Sequence, residues 1–169
     1  MTGFGYKNNN CKTDSKRENQ PSERELLKIA INKHIHGDID NAEKAYRRAI
    51  EYGFQNTAIF LNLGVICQAS CRFNEAITLY KKAIEIDLDN FEAHVNLGSL
   101  YKKLGIPNQA LTFALKSLEL KPNHPDVHLN LGCIYKDLGN LDQALASTLK
   151  SLELKPENAI AQMNLGGIY

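Results

Sequence analysis

Apolar positions recur along this sequence as two helical stripes set apart by short polar breaks. Phe60, Leu63, Gly64 and Cys67 follow the i, i+3, i+4, i+7 spacing of an amphipathic helix, and Ala76, Leu79, Tyr80 and Ala83 resume it after a gap. The breaks contain glycine, as in Lys-Leu-Gly-Ile-Pro at 103–107 and Asp-Leu-Gly-Asn at 137–140. Glycine takes the left-handed conformation that ends a helix. Pro122 and Pro156 stop second helices, and Pro125 suits the first turn of the next. The pattern predicts helical hairpins.

The hairpins repeat with a step of 34 residues. The phrase LKSLELKP stands at 115–122 and again at 149–156, and NLG stands at 62–64, 96–98, 130–132 and 164–166. Ala42, Ala76, Ala110 and Ala144 keep the same step, as do Gly37, Gly105 and Gly139, with Cys71 in the missing glycine's place. The expected units are 23–56, 57–90, 91–124 and 125–158, with a partial fifth at 159–169. A glycine inside a helix costs about 1 kcal/mol relative to alanine. Its recurrence points to close packing, and Gly64 is expected to face Ala76 across its hairpin. A lone hairpin leaves an apolar face open, so neighbours must stack. The expected fold is all-α, an α-solenoid of stacked 34-residue helix-turn-helix repeats wound as a right-handed superhelix.

Leu131, Gly132, Tyr135, Ala144 and Pro156 in the fourth unit, and Leu97, Gly98, Tyr101, Ala110 and Pro122 in the third, resemble the tetratricopeptide repeat. The resemblance covers 23–169. The family's first-helix tryptophan is absent, its place taken by Phe60, His94, His128 and Gln162. The first unit departs most, with Ala30 for the glycine and Lys33 for the tyrosine, as befits a terminal repeat.

Composition narrows the partners. The 169 residues are 43% hydrophobic and carry 20 basic against 19 acidic side chains, a net charge of +1. No basic excess draws the chain to nucleic acid or to an anionic membrane, so neither is an expected partner. No apolar run is long enough to span a bilayer and the N-terminus has no apolar signal core, which sets a cytoplasmic expectation. Cys11, Cys67, Cys71 and Cys133 then read as reduced thiols. Residues 1–21, rich in Asn, Lys and Ser, read as a disordered leader.

The chemistry-bearing residues exclude more than they suggest. His124 and His128 lie four apart with Asp126 between them, but no further ligand is in reach and His128 holds the packing slot of Phe60, so no metal site is expected. No nucleophile with its base, no phosphate loop and no H-E-x-x-H occurs, so the chain as given is expected to have no catalytic residues and no cofactor.

What remains is the first-helix face that packing does not use. At the sixth position of the units stand Asn62, Asn96, Asn130 and Asn164, with Lys28 in the first. An amide offers donors and acceptors that suit an extended peptide main chain. Bonding to the neighbouring first helix or to water, or copying by recent repeat duplication, would also explain the column. Lys102 and Lys136 adjoin it and suit an acidic ligand group, although Leu27 departs from the family's carboxylate-clamp pattern. The resemblance implies ligand binding on the concave surface, which first helices line. The expected function is a scaffold holding an extended peptide or partner protein in that groove. The alternative is a recognition arm of a larger transferase, since the Asn column resembles that of the O-GlcNAc transferase arrays. The stripe Met163, Leu165, Ile168 and Tyr169 lacks its second helix, so it is expected either to dock as an imperfect cap or to continue in a longer protein.

Overall fold

Ser22 opens the first helix through a capping box: its hydroxyl accepts from the Glu25 amide at 3.2 Å, and the Glu25 carboxylate accepts from the Ser22 amide at 2.9 Å. From there the computed structural model, which describes residues 21–168, holds nine α-helices and no strand among those residues. They are α1 (Glu23–Ile35), α2 (Ile39–Glu51), α3 (Thr57–Ala69), α4 (Phe73–Ile86), α5 (Phe91–Lys103), α6 (Pro107–Leu120), α7 (Pro125–Asp137), α8 (Leu141–Leu154) and α9 (Ala159–Gly166). The leader expected at the N-terminus lies, but for Pro21, outside the described residues.

Odd and even helices pair into hairpins, α1 with α2 through α7 with α8. Each hairpin turns on one residue of positive φ: Gly37 at 77°, Gly105 at 70°, Gly139 at 77° and Cys71 at 60°. Cys71 keeps the left-handed turn although a side chain there costs about 1 to 2 kcal/mol. The amide of Arg72 still donates to the Cys67 carbonyl at 2.8 Å, the bond that closes the turn. The starts of the odd helices repeat as well. Asn56, Asn90 and Asn158 cap α3, α5 and α9 with their side-chain oxygens. His124 occupies the same slot before α7 and makes no capping bond.

One continuous core runs from Leu26 to Ile134, through Tyr46, Leu63, Tyr80, Leu97, Leu131 and the buried alanines Ala42, Ala76 and Ala110, and Ala144 is buried in α8. The helical glycines serve close packing, but Gly64 does not meet Ala76 first. A Cβ at Gly64 would stand 2.5 Å from the Tyr80 ring. At Gly98 it would meet the Ala114 nitrogen at 3.3 Å and the Ala110 carbonyl at 3.4 Å, and at Gly132 the Thr148 hydroxyl first and the Ala144 carbonyl at 3.3 Å. The tight neighbour is thus the residue sixteen positions on. The column alanine adds its carbonyl at Gly98 and Gly132.

Successive first helices touch one another, α3 with α5, α5 with α7 and α7 with α9. Second helices stand farther apart, and α2 reaches the start of α4 through long side chains: Arg47 to Glu75 at 2.6 Å, and Arg72 back to Glu43 at 2.6 Å. Close first helices and spread second helices bend the array, with the odd helices lining its inner face. A bond from the fourth position of the odd helices ties successive units. His94 Nε2 donates to the Leu88 carbonyl at 2.9 Å, His128 Nε2 to the Pro122 carbonyl at 2.8 Å, and the Gln162 amide to the Pro156 carbonyl at 2.9 Å. These polar ends replace the family's tryptophan and give the two histidines a structural task.

Candidate peptide-binding surface

The inner face is built from positions that the hairpin core leaves over. Asn62, Asn96, Asn130 and Asn164 are each half-buried on their helices, α3, α5, α7 and α9. Their surroundings divide them. Asn130 donates to the Ser99 hydroxyl at 3.1 Å and accepts from Lys102 Nζ at 3.0 Å, while Asn164 donates to Cys133 Sγ at 3.2 Å. Both bonds reach back 31 residues, from the sixth position of one odd helix to the ninth of the helix before. The ninth positions facing Asn62 and Asn96 are Ile31 and Val65, which offer no polar partner. Neither Asn62 nor Asn96 makes a side-chain hydrogen bond of good geometry among the described residues. Asn62 does lie near the buried Tyr46 hydroxyl: burial raises that phenol's pKa, and the Asn62 amide partly offsets the rise.

The face changes character along its length. At the α1 end, Leu27, Ile31 and Ile35 line an open groove of about 690 Å³ with Arg24, Lys28 and Asn32. Lys28 is exposed there and stands apart from the asparagines. Val65 continues the apolar stretch with 41% of its surface exposed. Farther on the lysines take over. Lys102 is engaged by Asn130, and Lys136 comes near Gly167, where an added Cβ would meet Nζ at 2.7 Å. The structure therefore brings Lys102 and Asn130 together, and leaves Lys28 in a separate apolar setting.

Helical spacing puts Ser99, Cys133, Ile31 and Val65 on the same face as the asparagines but does not show that they meet them. A signal for them exists, since the four share the ninth position and the 34-residue step. Their pairing with the asparagines needs the stacking offset between units, which the sequence does not state.

Other chemistry is sparse. Among the described residues no group of three or more His, Cys, Asp or Glu could hold a metal ion, and no helix is long and apolar enough to cross a membrane. Cys67, Cys71 and Cys133 are free thiols, and burial pushes Cys67 up to about 11, so it stays protonated at neutral pH. Cys11 lies outside the described residues.

Comparison with known proteins accords with this geometry. Models of the tetratricopeptide repeat match residues 36–87, 91–124 and 125–158, and a further model of the repeat matches 72–105. No curated protein matches the chain. Among solved structures, MamA is 27% identical with a TM-score of 0.77, over 83% of this chain and 82% of that one. A tetratricopeptide repeat protein from Parabacteroides merdae is 26% identical with a TM-score of 0.77, over 86% of this chain and 58% of that one. YrrB, a tetratricopeptide protein with an unusual peptide-binding site, shares the fold at a TM-score of 0.80 and 24% identity, over 93% of this chain and 81% of that one. With repeat models tiling 36–158 and helical hairpins throughout, the chain belongs to the tetratricopeptide-repeat family.

Proposed function

We propose that the inner face is a scaffold surface that holds an extended peptide segment of a partner protein. The observation that carries this is the contrast within the asparagine column. Asn130 and Asn164 are bonded to Ser99, Lys102 and Cys133, whereas Asn62 and Asn96 present half-buried amides beside apolar Ile31 and Val65. Asn96 has no side-chain partner and Asn62 has only the Tyr46 hydroxyl beside it, so both amides keep donors and acceptors to spare. A peptide main chain supplies the matching carbonyl and amide. Exposed Val65 and the groove beside Leu27 and Ile31 then receive apolar side chains of the same segment. Lys28, Lys102 and Lys136 along this face suit acidic groups at the segment's ends.

The same surface would serve a second reading, a recognition arm of a larger transferase. The peptide held would then be the substrate. YrrB, of like fold, has a peptide-binding site, which supports peptide recognition in either case.

The test uses a peptide selected from a random twelve-residue display library on the intact chain, with calorimetry on Asn62→Ala combined with Asn96→Ala. Two amide partners worth about 0.5 to 1.5 kcal/mol each should lower affinity by about ten-fold. Asn96→Ala alone, which leaves the buried Tyr46 hydroxyl its Asn62 neighbour, should lower affinity without lowering thermal stability. Full affinity in the double variant would overturn the role of these amides.

A further inference from the structure

The outer face carries a notch that becomes visible when one hairpin is laid on the next. In the α5–α6 hairpin, Phe113 stacks on Tyr101 with ring centroids 5.6 Å apart and planes 11° from parallel, and lies 6.0 Å from the His94 ring. Tyr101 and His94 are 5% and 6% exposed under this cover. Thirty-four residues on, Tyr135 and His128 repeat the two walls, and His128 is held by the Pro122 carbonyl as His94 is held by Leu88. The filler alone differs, because Ser147 stands where Phe113 stood. Tyr135 and His128 are accordingly half-buried rather than buried.

Without the ring, an open groove between α6, α7 and α8 reaches the tyrosine, lined by Leu115, Leu118, His128, Tyr135 and Ser147, with Lys150 at its edge. The corresponding groove beside α6 ends at Phe113 and does not reach Tyr101, whereas this one reaches Tyr135. The walls are mostly apolar, one is an aromatic face, and the imidazole is already oriented by its hydrogen bond.

We propose that this notch receives a phenylalanine side chain presented by a partner protein against the outer face of the array. Phe113 shows how the ring sits: flat on the tyrosine and near the histidine, in walls of the same residue types. Aromatic pairing favours such a ring over an aliphatic one by roughly two- to ten-fold in affinity beyond its buried area. The site lies on the face opposite the asparagine column, so it stands or falls independently of the peptide groove.

The probes are the short peptides acetyl-Ala-Phe-Ala-amide and acetyl-Ala-Leu-Ala-amide, titrated into the intact chain while the ring resonances of Tyr135 and His128 are followed by NMR. Saturable shifts with the phenylalanine peptide, roughly two- to ten-fold tighter than with the leucine peptide, are expected. Ser147→Phe should abolish them by supplying the ring from within. Phe113→Ser should open a second site with the same preference, read at Tyr101 and His94. The Ser147→Phe arm is decisive whether or not Phe113→Ser remains folded. Equal binding of both peptides, shifts that survive Ser147→Phe, or no saturable shift at all would overturn the proposal. So would occupation of the notch by residues of the chain's own N-terminus, seen as ring contacts already present in the free protein.

Discussion

A Cβ placed on Gly98 would stand 3.3 Å from the backbone nitrogen of Ala114, tighter than an ordinary carbon contact and against an atom that cannot swing aside. That approach fixes the spacing between α5 and α6. Gly98→Leu should therefore force the hairpin apart and cost about 2 to 3 kcal/mol by overpacking. Gly166, in the same NLG phrase, has nothing within 4 Å of its added Cβ. Gly166→Ala should instead stabilise by roughly 0.4 to 1 kcal/mol through the unfolded chain. Urea unfolding of both variants checks the opposite signs.

The four charges that bind α2 to α4 predict an acid dependence. Hydrogen bonds from Arg72, and then from Arg47, outweigh burial and hold the Glu43 carboxyl down to about 2 from its ordinary 4.5. The folded value lies below the unfolded one, so this stabilisation is complete above about pH 4.5 and is lost as pH falls toward 2. Arg72→Met removes the partner while keeping the apolar stem. The variant should lose roughly 1 kcal/mol at neutral pH and show a flatter stability profile between pH 4.5 and 2. Chemical unfolding across that range reads both effects.

His124 breaks the run of asparagine caps. Its Nδ1 is buried without a partner, and its ring lies 5.1 Å from Phe91. His124→Asn should restore a side-chain cap on α7 like those of Asn56, Asn90 and Asn158, and raise stability by about 0.5 to 1 kcal/mol. Differential scanning calorimetry should record a higher melting temperature. A lower one would mean that the ring contact with Phe91 outweighs the cap.

Helices and turns are legible in the sequence because the information is local. The stripe from Phe60 to Cys67, the alanine column and the 34-residue step of NLG each reflect one helix or one hairpin. The partner of each glycine is not local. Tyr80 rather than Ala76 crowds Gly64 because the crossing of α3 over α4 decides which side chain arrives, and sequence spacing does not encode that crossing. The asparagine column shows the same division. Its 34-residue period is plain in the sequence, but the bonds from Asn130 to Ser99 and to Lys102 span 31 and 28 residues, separations that appear only once the units have stacked.

The proposed peptide groove is tested most directly by photo-crosslinking. A benzoylphenylalanine introduced at Val65, 41% exposed on the inner face, should crosslink the selected twelve-residue peptide. The same residue introduced at Thr78, exposed on α4, should not. Crosslinks at position 65 that disappear with excess unlabelled peptide are the predicted result. Crosslinking at position 78 with none at 65 would contradict an inner-face peptide groove.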